Sequence, residues 1–253
     1  MVEKKEKELA AKEKSEVAEP LRRSGDQGIP AGFDDVDKED LRMPRLAILQ
    51  GLSEMVTNGD AKMGELANSL TKEIYGNEVE FIPLFMFKSR AQFEMGKGLV
   101  MYSRDNITVT MAKDELAQYV NLPVEEVPGS AWTGDLPPKF NLVYNFPVML
   151  IGKLTEFPVS LSLMKTGAKV AKDLISMARF SNEDMFARVY NLKTRVEKND
   201  KGTFAMPAIE FKRRCTNEEY AIAKKFFDDL YRRKSKIDVD LEQEHSAESQ
   251  EQQ

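Results

Sequence analysis

Reactive side chains are scarce in this chain of 253 residues, which has one cysteine, one histidine and one tryptophan. A single cysteine, Cys215, excludes an internal disulfide and any zinc site built on a CxxC pair. The only histidine, His245, stands in a polar stretch. Cysteine–histidine and serine–histidine catalysis are therefore not expected, and the sequence predicts no catalytic residue, no metal site and no cofactor.

Long apolar runs and a secretory leader are also missing. The longest largely apolar stretch, "FNLVYNFPVMLIG" (140–152), is too short and too interrupted to cross a bilayer as a helix. The opening "MVEKKEKELAAKEKSE" is charged from its third residue and has no apolar segment or small-residue cleavage site. We expect neither secretion nor membrane contact.

Carboxylates are the remaining candidates for catalysis. The acidic clusters "FDDVDKED" (33–40) and "DVDLEQE" (238–244) both stand in flanks that are too polar to hold a metal ion rigidly. The second cluster also lacks the glycine and the spacing of a calcium loop. A carboxylate–metal nuclease is kept as a minor alternative, and the sequence favours a protein that is not an enzyme.

Composition divides the chain into three parts. Residues 1–36 mix Lys, Glu, Ala and Ser before a Gly/Pro-rich stretch, which predicts a disordered charged arm. From Ile237 to Gln253 there are six acidic residues and no Lys or Arg, so residues 236–253 are predicted to be a disordered acidic tail. Residues 37–235 are predicted to form a single folded domain, whose charge is close to zero although the whole chain carries -5.

Hydrophobic patterning inside the domain predicts several strands, then a helix, a hairpin and a last helix. The first helix has Thr166 as its N-cap, and the last begins with a capping box of Thr216 and Glu219. This order is that of an OB-fold, and other α+β sandwiches share it. The predicted fold class is α+β, mainly β, with an OB-fold-like barrel and one helix before the last hairpin. Strands are predicted at 78–89, 99–104, 140–154 and 157–164, and helices at 112–120, 166–180 and from 216.

The last hairpin gathers positive charge. Met185–Arg214 contains eight Lys or Arg and three Asp or Glu, a net +5 in an acidic chain. The turn "NDKG" (199–202) joins its strands, and alternation puts successive side chains on opposite faces. Cations bind phosphates and an aromatic ring stacks on a base, so the hairpin is a candidate surface for single-stranded nucleic acid. The alternative is an ordinary solvated face of a half-buried sheet. The candidates here are Lys193, Arg195, Lys198, Lys201, Phe204, Lys212 and Arg214.

Two other segments combine cations with aromatic rings. "FKSRAQFEMGKGLVMYSR" (87–104) is either a second contact with DNA or a plain hairpin, and the proline-rich loop 121–139 holds the only tryptophan. That tryptophan is either a stacking platform or an anchor of its own loop. Lysines at 165, 169 and 172 are interpreted as the solvated face of a helix. The candidates in these two segments are Lys88, Arg90, Phe93, Tyr102, Arg104 and Trp132.

Four stretches, "EDLRMPRLAILQGLSEMV", "MGELANSLTKEIYGNEVEFIPL", "YNFPV" and "TRVEKNDKGTF", resemble a group of bacteriophage proteins. That group occurs with replication and recombination functions and is generally taken as single-stranded DNA-binding proteins with an OB-like core. The resemblance covers roughly residues 37 to 215. It implies replication in the cytoplasm of an infected bacterial host, with DNA along the barrel face and the last hairpin. Carried over by position, it implicates Lys193, Arg195, Lys198, Lys201 and Phe204.

The acidic end is similar in character to the tails of single-strand binding proteins, which compete with DNA and recruit replication partners. It ends in "SQEQQ", without the aromatic or apolar last residue of many such tails. The leading hypothesis is a sequence-tolerant single-stranded DNA-binding protein, with phage replication or recombination proteins as partners of the tail. A homo-oligomer is compatible with these features. The alternatives are a strand-annealing recombination accessory protein and a virion structural or scaffold protein.

Overall fold

The structure is a computed structural model and describes residues 42–94, 96–199, 202–232, 234, 237–239 and 241. Strands dominate and helices are few, which confirms the mainly β class. The strands are β1 (Arg42–Met43), β2 (Leu46–Ile48), β3 (Leu66–Asn68), β4 (Ile74–Gly76), β5 (Glu78–Pro83), β6 (Phe87–Glu94), β7 (Gly98–Ser103), β8 (Met111–Ala112), β9 (Asn141–Leu150), β10 (Val159–Met164), β11 (Arg188–Asn199), β12 (Gly202–Arg214) and β13 (Asp238–Val239).

The two predicted long helices are confirmed. They are α2 (Gly167–Phe180) and α3 (Asn217–Tyr231), and a one-turn helix α1 (Glu54–Thr57) precedes them. The capping box of α3 forms as predicted, because Thr216 Oγ1 accepts from the Glu219 N–H while the Glu219 carboxylate accepts from the Thr216 N–H. Thr166 takes the N-cap position of α2, but its side chain makes no capping hydrogen bond. The other helical turns are 3-10, at Asp114–Tyr119, Val124–Glu126 and Met185–Ala187.

The main sheet has eight strands in the order β12-β11-β5-β9-β6-β7-β8, with β10 on β9 as a branch. β5 and β6 are successive parts of one bent segment, and both pair with β9, as Phe81 opposite Leu150 and Phe87 opposite Asn145 show. In the part of the chain that the structure describes, no pairing joins the ends of this path into a closed ring. The sheet is therefore open, and the predicted OB-like barrel is not confirmed.

Apolar side chains are buried on both faces of this sheet. Alternation along β9 sends Phe146 and Val148 to one side, where they pack with Leu174 of α2. Val143 and Met149 point to the other side, toward the core that includes residues of α3. A third, smaller core lies in the segment between β7 and β9. The sheet is thus a middle layer with one long helix on each side.

A ladder of buried polar side chains crosses three neighbouring strands. Asn145 on β9 donates from Nδ2 to Ser89 Oγ on β6 at 2.8 Å and accepts at Oδ1 from Ser162 Oγ on β10 at 2.8 Å. Ser160 Oγ lies 3.1 Å from Ser162 Oγ. All four residues are buried. Both the Nδ2 and the Oδ1 atom of Asn145 therefore have a hydrogen-bond partner inside the protein, as is usual for buried polar groups.

The outer edge of β12 is protected from further strand pairing. The side-chain amide of Gln50 accepts from the Ala205 N–H at 2.9 Å and donates to the Ala205 carbonyl at 3.1 Å, as a neighbouring strand would. Two residues on, Pro207 has no N–H to offer. The start of α2 lies close by, since a Cβ placed on Gly167 would be 3.9 Å from the Pro207 ring. Such devices keep an edge strand from pairing with other chains.

The folded part continues further than predicted. β13 pairs in parallel with β1, and Ile237, Val239 and Leu241 are buried in the core that includes residues of α3. The predicted start of the acidic tail at residue 236 is therefore too early, because alternate apolar residues at 237, 239 and 241 anchor the chain. The predicted N-terminal arm and the rest of the tail lie outside the described residues.

Candidate nucleic-acid interface

The hairpin of β11 and β12 has the predicted register. Lys198 pairs with Thr203 and Asn199 with Gly202, and the pairing continues to Arg188 and Arg214 with one shift of register between Val189 and Tyr190. The turn residues 200 and 201, including the candidate Lys201, lie outside the described residues. Side chains at Lys193 and Arg195 share one face with Phe204 and Met206, as alternation predicts.

Carboxylates pair with most of the cations on this face. Lys193 Nζ lies 2.7 Å from Glu210 Oε1 and 3.6 Å from Glu78 Oε1. The hydrogen bond to Glu210 raises the pKa of Lys193. Arg195 Nε lies 2.7 Å from Glu197 Oε1. A phosphate that binds at either cation must displace a carboxylate, so the charge available to nucleic acid is smaller than the sequence count.

The cations at the base of the hairpin are paired as well. Lys212 Nζ lies 3.6 Å from Glu80 Oε1, and Arg214 Nη2 lies 2.7 Å from Glu183 Oε1. Arg213 donates two hydrogen bonds of 2.7 Å to Glu219, and these bonds hold the pKa of that carboxyl at about 2. This bidentate pair ties the end of β12 to the start of α3, which is a structural role.

Two hairpin candidates stay accessible to different degrees. Lys198 is exposed, and among the described residues no carboxylate oxygen lies within 4.0 Å of its nitrogen. Phe204 is half-buried and lies across from Glu197. Its ring therefore offers only part of a stacking surface.

In the segment 87–104, two of the candidate residues, Arg90 and Tyr102, have roles inside the fold. Arg90 donates from Nε to Asn106 Oδ1 at 2.8 Å and from Nη1 to the carbonyls of Ser130 and Phe140 at 2.8 and 3.1 Å. It therefore holds two loops together, and burial lowers its pKa. Tyr102 is only 5% exposed and burial raises its pKa, so its ring cannot stack on a base and that prediction is wrong.

The other candidates outside the hairpin differ in exposure. Lys88 is exposed, with Nζ 5.9 Å from the centre of the Tyr144 ring. Phe93 and Arg104 are half-buried, and Phe93 packs against the core. Trp132 is 67% exposed, so its ring is free to meet a base or another protein.

The exposed face of α2 carries positive charge that the sequence interpretation assigned to solvation. We call Lys169, Lys172, Ser176 and Arg179 the basic face of α2; all four are exposed. At 3.6 residues per turn they fall within an arc of about 80° and extend about 15 Å along the helix. Among the described residues no carboxylate lies within 4.0 Å of the three cations. Phe180, which is 87% exposed, follows Arg179 directly.

Helix stability accounts for Arg179, which stands in the last turn where positive charge is favoured, but not for Lys169. The first turn of α2 contains Lys169 and no acidic residue, although the N-terminal end of a helix favours negative charge. The one carboxylate of the helix, Asp173, lies outside the arc of the basic face. The signal that would have found the face is the spacing of +3, +4 and +3 from residue 169 to residue 179.

The described residues bring no set of metal ligands together, and burial keeps the one thiol from being activated. Within the residues that the structure describes, no three His, Cys, Asp or Glu side chains come together as metal ligands. Burial raises the pKa of the Cys215 thiol to about 11, which leaves it protonated at neutral pH. Over the same residues, no helix is both long and apolar enough to cross a membrane.

A comparison with models of known protein families shows the family to which this chain belongs. The model of a family described as "Pam3 phage gp34-like protein" matches residues 10–236. The chain belongs to this phage gp34-like family. No curated protein and no solved structure matches it significantly. Membership of the gp34-like family makes this a bacteriophage protein, in agreement with the viral part of the resemblance.

Proposed function

We propose that this phage gp34-like protein binds single-stranded DNA without catalysing a reaction and with little preference for sequence. The observation that carries the proposal is the basic face of α2, where three exposed cations have no carboxylate partner among the described residues. Counterions released from phosphates by such cations provide most of the affinity for nucleic acid that does not depend on sequence. The paired hairpin cations add less.

The geometry of the basic face suits a single strand. Its length of about 15 Å corresponds to about four nucleotides at 3.4 Å each, the spacing within one strand of B-DNA. The Phe180 ring at its end offers a stacking surface for a base, and stacking is tolerant of sequence because every base has a π-face. A duplex keeps its bases covered, so stacking favours the single strand.

Membership of the phage family supports the wider role that we propose. We place the protein in replication or recombination of the phage, in the cytoplasm of the bacterial host. The acidic residues after Leu241 are proposed to compete with DNA for the cations and to recruit phage replication or recombination proteins. An annealing assay with two complementary labelled oligonucleotides separates strand annealing from simple coating of the strand.

The test is fluorescence anisotropy of a labelled poly-dT oligonucleotide and a matched duplex, each titrated with the full chain over a salt series. We expect tighter binding to the single strand, with a logarithm of the association constant that falls linearly with the logarithm of salt concentration. Equal affinity for the duplex, or no binding at low salt, would contradict the proposal.

A second candidate function, a virion structural or scaffold protein, is favoured by a separate observation. Ile107, Trp132 and Leu136 are 68%, 67% and 70% exposed. Ile107 and Trp132 stand near the two loops that Arg90 joins. Exposed apolar side chains that form one patch are typical of protein–protein contacts. Light scattering of the DNA-free protein and of a Trp132→Ala variant tests this function, which requires regular assemblies that the variant loses.

A further inference from the structure

An open cavity lies where the basic face of α2 ends. Its volume is about 620 Å³, within the range of small-molecule sites, and it lies between the end of α2, the end of β12 and the start of α3. Arg179 is at once the last cation of the basic face and a lining residue of the cavity. The cavity is therefore continuous with the surface proposed to bind the phosphates.

Several polar groups in the cavity already have protein partners. Glu183 accepts from Arg188 Nε at 2.6 Å and pairs with Arg214 Nη2 at 2.7 Å. Asp184 accepts from the Tyr220 hydroxyl at 2.7 Å. The start of α3 is occupied by its own capping box. The charge of Glu183 is therefore compensated by two guanidinium groups, Asp184 keeps its negative charge, and the helix terminus is not the binding element.

Three lining side chains have no such partner. Among the described residues, neither the Arg179 guanidinium nor the side-chain amides of Asn182 and Asn217 make a hydrogen bond or an ion pair, and all three residues are exposed. A guanidinium binds phosphate, and a carboxamide both donates and accepts. The edge of a nucleobase also carries both donors and acceptors. Together the three groups match one nucleotide.

We propose that this cavity holds one nucleotide of the bound strand, with its phosphate on Arg179 and the edge of its base on Asn182 and Asn217. The inference rests on the proposed DNA-binding function and adds a place where one base leaves the stack. Single-stranded nucleic acid is commonly recognised through such splayed bases. The two amides give a modest preference among bases at this one position, on top of sequence-tolerant binding elsewhere.

The amides are tested by a double variant, Asn182→Gly with Asn217→Ala. Glycine is chosen at 182 because the backbone φ there is +56°, which alanine adopts only with strain. Two hydrogen bonds of about 1 kcal/mol each correspond to a loss of about 30-fold in affinity for the poly-dT strand. The salt dependence should not change, because no charge is removed. Arg179→Gln should instead reduce the slope of log K against log salt by about 0.7.

The matched control is Asn58→Ala, which removes an exposed amide at the end of α1 and should bind as the wild type does. Circular dichroism of each variant confirms that the fold is kept. If the double variant binds within twofold of a tightly binding wild type, the cavity proposal is overturned while the proposed function stands. If the wild type itself does not bind the strand, the proposed function fails and the cavity proposal fails with it.

Discussion

Neutralising the basic face of α2 should weaken single-strand binding far more than neutralising the hairpin. The perturbation is the triple change Lys169→Gln, Lys172→Gln and Arg179→Gln. Each phosphate contact with a single strand contributes about 0.7 to the slope of log K against log salt, so the triple variant should lower that slope by about 2. At 0.1 M salt this corresponds to a loss of about 100-fold in affinity.

The matched control removes the same number of charges from the hairpin, with glutamine at Lys193, Arg195 and Lys212. Each of these cations already has a carboxylate within 4.0 Å. We therefore expect a slope change below 1 and a loss of about 10-fold or less. Exposed Lys→Gln changes should alter the free energy of unfolding by less than about 0.5 kcal/mol, which urea titration checks.

The assay is anisotropy with a labelled poly-dT oligonucleotide at five or more salt concentrations, from about 50 to 200 mM, where phosphate contacts change the affinity most. The comparison of slopes matters more than any single dissociation constant, because only charge removal changes the slope. A hairpin triple that loses more slope than the α2 triple would refute the reasoning, since paired cations would then release more counterions than unpaired ones.

Three further predictions concern stability and assembly. Glu219→Gln should lower the free energy of unfolding by at most about 3 kcal/mol at pH 7, because Arg213 lowers the pKa of Glu219 in the folded protein to about 2. The difference from the wild type should shrink as the pH falls from about 4.5 toward 2, which urea titrations over that range test. Arg90→Ala removes three charged hydrogen bonds and should destabilise by about 2 kcal/mol or more without changing the salt slope, as calorimetry and anisotropy measure. Gln50→Ala uncovers the edge of β12 at Ala205 and should increase self-association in light scattering, while Gln50→Glu, which keeps the acceptor, should show a smaller effect.

Local signals in the sequence gave reliable predictions. The Thr216–Glu219 capping box needs only residues three apart, and the register of Lys198 with Thr203 follows from the length of the turn between them. Both depend on short-range geometry, and both are confirmed. The mainly β class follows in the same way from alternating patterns.

Long-range contacts explain what the sequence could not predict. The net charge of the hairpin was counted over a continuous window, but Glu78 and Glu80 reach it from β5, more than a hundred residues earlier in the chain. The closure of the sheet depends on which strands meet at its ends, and strand order alone does not determine that. No element was predicted over residues 42–76, where the strands are three residues long or shorter and carry little periodicity.

The basic face of α2 is a different case, since its spacing is visible in the sequence. The sequence alone favours a solvated face, because a run of lysines on a helix usually is solvated. What distinguishes it is that no carboxylate oxygen lies within 4.0 Å of the side-chain nitrogens of Lys169, Lys172 and Arg179 in the described part of the fold. That property belongs to the packed protein and cannot be read from the helix by itself.

The buried ladder through Asn145 fixes which residues may face each other across β6, β9 and β10. Apolar side chains such as Val143 and Met149 pack almost equally well against many neighbours, so they discriminate weakly between competing alignments of the same strands. If β10 slid by two residues along β9 so that Met164 came opposite Asn145, Asn145 would lose Ser162 and leave a buried amide oxygen unpaired. Such a group costs about 1–3 kcal/mol, enough to shift the population between two alignments by about fivefold to more than a hundredfold. The ladder therefore contributes to the choice of strand register, because it destabilises shifted alignments that hydrophobic packing alone would not distinguish from the native one.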